Sequence, residues 1–270
     1  MKTQTLLGMM LAAALVAGTQ RRVDAQSPSG QTEIVLIGTA HEPTANFREE
    51  TLRSILARVK PDLILLELDP IFFDSTLSLP MKYEGITLET RAATGYAKTA
   101  SVKLRPYDIE GRNKFYQEHD YFAREQKLNQ EVGRLYSAGQ LSPEAKLLVE
   151  ALRATAAIRD ACGADRVEVF NSTACDVAIE QKQYYAFKGL GKIVALTPAL
   201  ADMTAFWKLA DDFWTRRNDE MVRNIVKQTK ELGAKRVVVL AGYEHRYNLK
   251  KQLAALGTEA GFVVKGFQDY

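Results

Sequence analysis

The chain has 270 residues, of which 46% are hydrophobic and 26% charged, and its formal net charge is +3. That balance excludes an intrinsically disordered chain and leaves room for one sizeable core. It leaves no basic surplus to neutralise a phosphate backbone, so no nucleic-acid partner is expected.

In chain order, Lys2 and the apolar run 6–18 (LLGMMLAAALVAG) read as a signal peptide over 1–25. The run is shorter than the ~20 residues that span a bilayer, and small residues place cleavage after Gly18 or after Ala25. The expectation is export to the periplasm or beyond, with no transmembrane anchor in the mature chain; an uncleaved anchor is the alternative. Segment 33–37 (EIVLI) is a buried strand entering Gly38. Asn46 starts a helix with Glu49 as capping-box partner, and Leu52, Ile55, Leu56 and Val59 form its apolar face before Pro61 ends it. Segment 63–68 (LILLEL) is a second buried strand halted by Pro70, which completes a right-handed βαβ unit. Segment 102–107 is a third strand, placed at an edge by Pro106.

A long helical insertion follows, about 112–232, broken near Gly139–Pro143, around the cysteines, and at Gly189–Gly191. Its last helix is expected over 218–232, stopped by Gly233. Segment 236–241 (RVVVLA) returns to a buried strand, a short helix carries Leu249, Leu253 and Leu256, and 262–267 closes the sheet. The fold class is therefore α/β: a central, mostly parallel sheet built by both ends of the chain, in a single domain over 26–270. Cys162 and Cys175, a close pair in an exported chain, suggest one disulfide; two separate buried thiols are the alternative.

The chemistry gathers at strand ends, where open parallel sheets bind ligands. Two of only three histidines, His41 and His245, each stand three residues after a glycine that follows an apolar strand. Glu67 interrupts an apolar run, and a carboxylate there requires a cation, a metal or donors. Asp69 either belongs to the site or braces the turn before Pro70. Arg217 and Asn218, read as the start of a helix, put a cation within reach of a substrate anion or Glu67. His119, in a charged stretch, reads as a surface residue, and the Phe206-Trp207/Phe213-Trp214 repeat reads as core.

Ile37-Gly38-Thr39-Ala40-His41, Lys60-Pro61-Asp62-Leu63 leading into Leu66-Glu67-Leu68-Asp69, Arg217-Asn218-x-x-Met221 and Gly242-Tyr243-Glu244-His245 together resemble the TraB/GumN/Tiki group. The wider superfamily includes ChaN-like and erythromycin-esterase-like proteins. The resemblance implies a hydrolase of peptides or esters, with a site made by both histidines, the glutamate and the arginine. His41, Glu67 and His245 would ligate a divalent metal, manganese or cobalt as in Tiki proteins, with zinc possible on the same donors. Arg217 would stabilise an oxyanion, while Glu42, Asp69, Asp108, Asn218 and Glu244 would support the ligands or take the water proton. A metal-free version has His41 as general base oriented by Glu67. The ChaN-like alternative is a non-catalytic protein that binds haem, a metal or a peptide. Glu42 and Glu244 have no clear counterpart in the family pattern.

Overall fold

Five parallel strands, β1 (Thr32–Thr39), β2 (Leu63–Leu66), β3 (Lys103–Pro106), β4 (Arg236–Gly242) and β5 (Phe262–Lys265), form one sheet in the order β3-β2-β4-β1-β5. The computed structural model describes residues 30–270, of which 31–270 form one compact unit. The expected signal peptide and both cleavage positions lie outside the described residues. The sheet is α/β as expected, wholly parallel, and its central strand β4 comes from the far end of the sequence.

Alternation along the strands divides the core. Val35, Ile37, Ile64, Leu66, Val238 and Leu240 face α1 (Glu49–Val59) and α2 (Leu88–Ala97). Their neighbours Ile34, Leu36, Leu63, Leu65, Val237 and Val239 face α9 (Thr204–Glu231) and α10 (Tyr243–Ala260). Both faces are covered, which is why these strands read as unbroken apolar runs. The insertion comprises α3 (Arg112–Glu118), α4 (Tyr121–Ser137), α5 (Pro143–Ala164), α6 (Val167–Phe170), α7 (Thr173–Tyr184), α8 (Leu190–Ala195) and α9. It builds a second apolar cluster around Leu128, Val132, Ile193, Phe206, Trp207 and Phe213.

Several boundaries differ from the sequence reading. α1 begins at Glu49 with Arg48 as an N-cap that makes no side-chain bond, and Asn46 plays no part; instead the Thr44 hydroxyl accepts from the amide of Phe47. Its four predicted apolar residues are all buried. β2 stops at Leu66, so Glu67 lies just past the strand, where the ladder no longer claims its backbone. α9 starts well before Asn218, because Phe206, Trp207, Ala210 and Phe213 continue its buried stripe. Arg217 is thus a mid-helix residue. α10 begins directly at Tyr243 and runs through Gly257 to Gly261, whose left-handed φ of 81° caps it. His245 therefore sits in the first turn of a helix, not in a loop.

Cys162 and Cys175 are joined, tying the end of α5 to the start of α7 across α6. Closing this loop stabilises the fold by about 3 kcal/mol on chain-entropy grounds. The Cys162→Ala/Cys175→Ala variant should lose about that much in urea unfolding, and an unchanged midpoint would show that the crosslink restrains nothing. Among the described residues no helix is long and apolar enough to cross a membrane.

Candidate functional site

At the carboxyl ends of β1, β2 and β4 the chain leaves three adjacent strands, with Thr39 in register with Gly242. The two Gly-x-x-His segments are consequently side by side, and Glu67 approaches from β2. A cleft of about 420 Å³ opens here, lined by His41, Glu67, Arg112, Trp214, Arg217, Gly242, Tyr243, Glu244 and His245, with Thr39 and Ala40.

Arg217 organises its floor. Its Nε and Nη2 donate to Asp108 (both 2.8 Å), Nη2 also donates to Glu67 Oε1 (2.7 Å), and Nη1 donates to His245 Nε2 (3.1 Å) and to the Tyr116 hydroxyl (3.5 Å). All five guanidinium protons are thereby used. Asp108, fully buried, also accepts from Arg112 Nη1 (2.7 Å) and the Ile109 amide. Burial opposes its charge, but Arg217 and Arg112 hold its carboxyl below the usual range. Glu67 Oε2 accepts from the Gly242 amide (2.6 Å), which ties β2 to the turn after β4.

The histidines share a motif and hold opposite protonation states. His245 is buried; its Nδ1 donates to Asn218 Oδ1 (2.9 Å), which leaves Nε2 to accept from Arg217. Burial first, then the charges of Arg217 and His41, push its pKa well below the ordinary value, so it stays neutral. Its ring stacks on Trp214 at 4.4 Å.

His41 has a side chain 46% exposed and a left-handed φ of 57°, uncommon for a residue with a Cβ. Glu89, in the first turn of α2, holds this conformation. Its Oε1 accepts from the His41 amide (3.1 Å), from Nδ1 of the ring (3.0 Å) and from the Thr39 hydroxyl, while the Leu88 amide donates to the His41 carbonyl. Nε2 is left facing Glu67 Oε1 at 3.8 Å. Burial disfavours the imidazolium, but the charge of Glu67 and the hydrogen bond to Glu89 outweigh it and raise the pKa to about 9. Burial likewise disfavours the Glu89 carboxylate, and His41 and Thr39 reverse this, lowering its pKa to about 2. Three carboxylates (Glu67, Glu89, Asp108) thus meet three cations (Arg112, Arg217, His41).

This pairing predicts a pH window. The raised His41 value contributes stability present below 6.5 and lost as pH rises through about 9. The lowered Glu89 value contributes stability present above 4.5 and lost as pH falls through about 2. The stability gap between wild type and Glu89→Gln should be widest between those unfolded values and close above the His41 pKa. A gap constant across that range in denaturant titrations would refute the pairing.

The residues expected from sequence divide clearly. His41, Glu67, Arg217 and His245 converge, and Asp108, Asn218 and Glu244 touch or flank them. Glu244 lines the cleft, held by Arg159 (2.8 Å), Lys182 (3.0 Å) and Gln183 (2.8 Å). Glu42 is exposed and lines no part of it. Asp69 caps the turn after Pro70 through the Ile71 amide and accepts from Gly111 and Asn113, a bracing role. His119 ends α3 with its ring against Phe115, away from the cleft. Sequence reading missed Glu89, Arg112 and Trp214. An acid in a first helical turn is the only local mark of Glu89, and ordinary helix-dipole pairing produces the same mark.

The donor set does not fit a divalent ion held by His41, Glu67 and His245. Arg217 stands among the three, hydrogen-bonded to Glu67 and to the one lone pair of His245 that a metal would use. Among the described residues no three His, Cys, Asp or Glu side chains are grouped to hold a metal.

Gly242 leaves no room for a side chain. A Cβ there would lie 2.6 Å from His41 Nε2 and 3.3 Å from Glu67 Oε2. Gly242→Ala should swing the exposed imidazole aside, alter its titration and forfeit the stability that its pairing with Glu89 and Glu67 contributes. Gly38→Ala meets buried Asn171 and Arg246 instead, and should cost about 1–3 kcal/mol. Histidine NMR separates the two, and a His41 titration unmoved in Gly242→Ala would contradict this assignment. Compared with known proteins, the chain matches no family profile, no curated protein and no solved structure.

Proposed function

We propose that the chain hydrolyses an ester or amide bond in this cleft, with His41 as the proton acceptor for an attacking water. One observation carries the reading: an imidazole with Nδ1 tied to a buried carboxylate and Nε2 open to a cleft. In its neutral form the ring keeps the Nδ1 proton on Glu89 and offers Nε2 to water. Water adds to the carbonyl carbon and His41 takes its proton. The bond to the leaving oxygen or nitrogen then breaks, and His41 returns that proton to it.

The oxyanion formed between these steps needs donors. The first amides of α10 border the cleft and have no capping side chain, so they are available with the positive end of the helix dipole behind them. Arg217 has no proton to spare and acts by holding Glu67, Asp108 and His245 in place. No step requires a metal. The resemblance to the TraB/GumN/Tiki group and its esterase relatives supports hydrolysis as the reaction class. Export is part of the proposal, supported by the signal-like segment and the disulfide.

The test is a panel of peptide and ester substrates in the presence of a chelator. Turnover is expected, reduced about 10²–10⁴-fold in His41→Ala. Activity that appears only on adding a divalent ion would restore the metal mechanism. No turnover together with a Soret band on adding haem would favour the non-catalytic binding role.

A further inference from the structure

We infer that the Cys162–Cys175 crosslink is a redox-sensitive clamp on the roots of both Gly-x-x-His segments, opened by a dithiol. Its effect on turnover rests on the hydrolase reading; its effect on the position of the two segments does not.

The first segment leans on the crosslinked loop through Asn171, which is buried. The β5 ladder on β1 ends at the Val35–Lys265 pair, so the edge of β1 beyond it has lost a strand neighbour. The Asn171 carboxamide takes that place. Its Oδ1 accepts from the Gly38 amide (2.6 Å), and its Nδ2 donates to the Gly38 carbonyl (3.0 Å). A side-chain amide thus satisfies both backbone groups of the residue three positions before His41, as a strand would. The second segment leans on the same loop through Tyr243. Its ring packs on Phe170 at 5.9 Å and against Gly163, where no Cβ would fit. Between the end of α5 and the start of α7 only α6 is regular, and four residues are too few to hold a helix unaided. The crosslink across α6 therefore helps to fix where Phe170 and Asn171 stand.

Exchange begins at Cys162, which is half-buried, whereas Cys175 is 2% exposed. A thiolate of the dithiol attacks Cys162 Sγ, the S–S bond breaks, and Cys175 leaves as a thiolate that takes up a proton. The second thiol of the reductant then attacks the mixed disulfide, closes its own disulfide and releases Cys162 as a thiol. The dithiol is oxidised by two electrons, and its two protons end on the cysteines.

The experiment compares amide and histidine NMR spectra and turnover of the full chain, oxidised and in dithiothreitol. Wild type, Cys162→Ala/Cys175→Ala and Asn171→Ala are each measured. In the wild type, dithiothreitol should shift the amides of Gly38 and Tyr243 and both cleft histidine rings, while the β4 amides of Val238 and Val239 stay in place. It should lower kcat/KM about 10–100-fold, reversibly on reoxidation. The double cysteine variant should match the reduced wild type and be unaffected by dithiothreitol. Asn171→Ala is displaced from the start, so reduction should add less to it than to the wild type. Three results would each overturn the clamp: Gly38 and both histidines unmoved on reduction, β4 moved or unfolded as far as they are, or a full further effect in Asn171→Ala. The wild-type and cysteine-variant spectra decide even if Asn171→Ala folds poorly. No turnover on any substrate, with the spectra moving as stated, would sink the hydrolase reading and leave the clamp standing.

Discussion

Replacing Arg217 by methionine is expected to lower the unfolding free energy by about 3–5 kcal/mol, the largest loss from any single change in the site. The side chain is 7% exposed, and its removal takes from Glu67 (5%) and Asp108 (0%) the cation they share, leaving Asp108 with Arg112 alone. Methionine fills much of the volume, so the loss reports the uncompensated charges and not a cavity. Acid provides the control. In the wild type Asp108 is held below its ordinary value of 3.8, which contributes stability above that pH and loses it below. In the variant burial is opposed only by Arg112 and the Ile109 amide, and the carboxyl escapes part of the penalty by taking up a proton more readily. The difference between the proteins should therefore shrink as pH falls toward 4. Arg217→Lys keeps the charge but cannot reach Asp108, Glu67 and His245 together, and should fall between. A cost below about 1 kcal/mol for Arg217→Met at neutral pH would show that the network is ornamental.

The second large effect is expected at Glu89. Glu89→Gln removes the carboxylate that orders the His41 backbone, its Nδ1 and the Thr39 hydroxyl. The His41 pKa should fall from about 9 toward the ordinary 6.5, because burial then acts against only the charge of Glu67. Turnover at its plateau should fall about 10²-fold, since losing the partner that orients a working imidazole commonly costs this much. At neutral pH the variant holds more neutral imidazole than the wild type, which offsets part of the loss. A purely structural role for Glu89 would move stability and leave the histidine titration in place. Histidine NMR across the pH range separates these outcomes.

How much of this was legible in the sequence can be judged residue by residue. The βαβ start was readable because Leu52, Ile55, Leu56 and Val59 repeat at helical spacing between two apolar runs. His41, Glu67 and His245 were readable because polar groups at the ends of apolar strands are exceptional, and Arg217 through its Arg217-Asn218-x-x-Met221 motif. Glu89 was not, because nothing local distinguishes it. Only the packing of α2 against α1 and β1 carries its carboxylate under His41. Trp214 read as core from the aromatic stripe of α9, and three of that stripe's four members are indeed buried. The fourth is turned by the crossing of α9 and α10 onto His245. The expected metal triad meets Arg217 at its centre for a related reason: residue types alone suggest ligands, whereas Arg217 reaches between them from a helix longer than the periodicity suggested. Asp69 shows the reverse case, a conspicuous acid fully consumed by amide donors.

The most direct test of the central claim is the pH dependence of kcat/KM in the presence of a chelator, on whichever substrate of the panel turns over. That ratio reports the free enzyme, and about 1% of His41 is neutral at pH 7 when its pKa is near 9. The rate should climb about tenfold per pH unit through neutrality and level off near pH 9, with the bend displaced to lower pH in Glu89→Gln. A plateau already complete at pH 7, or a profile that vanishes with chelator and returns with a divalent ion, would contradict an imidazolium held by two carboxylates as the resting state of the site.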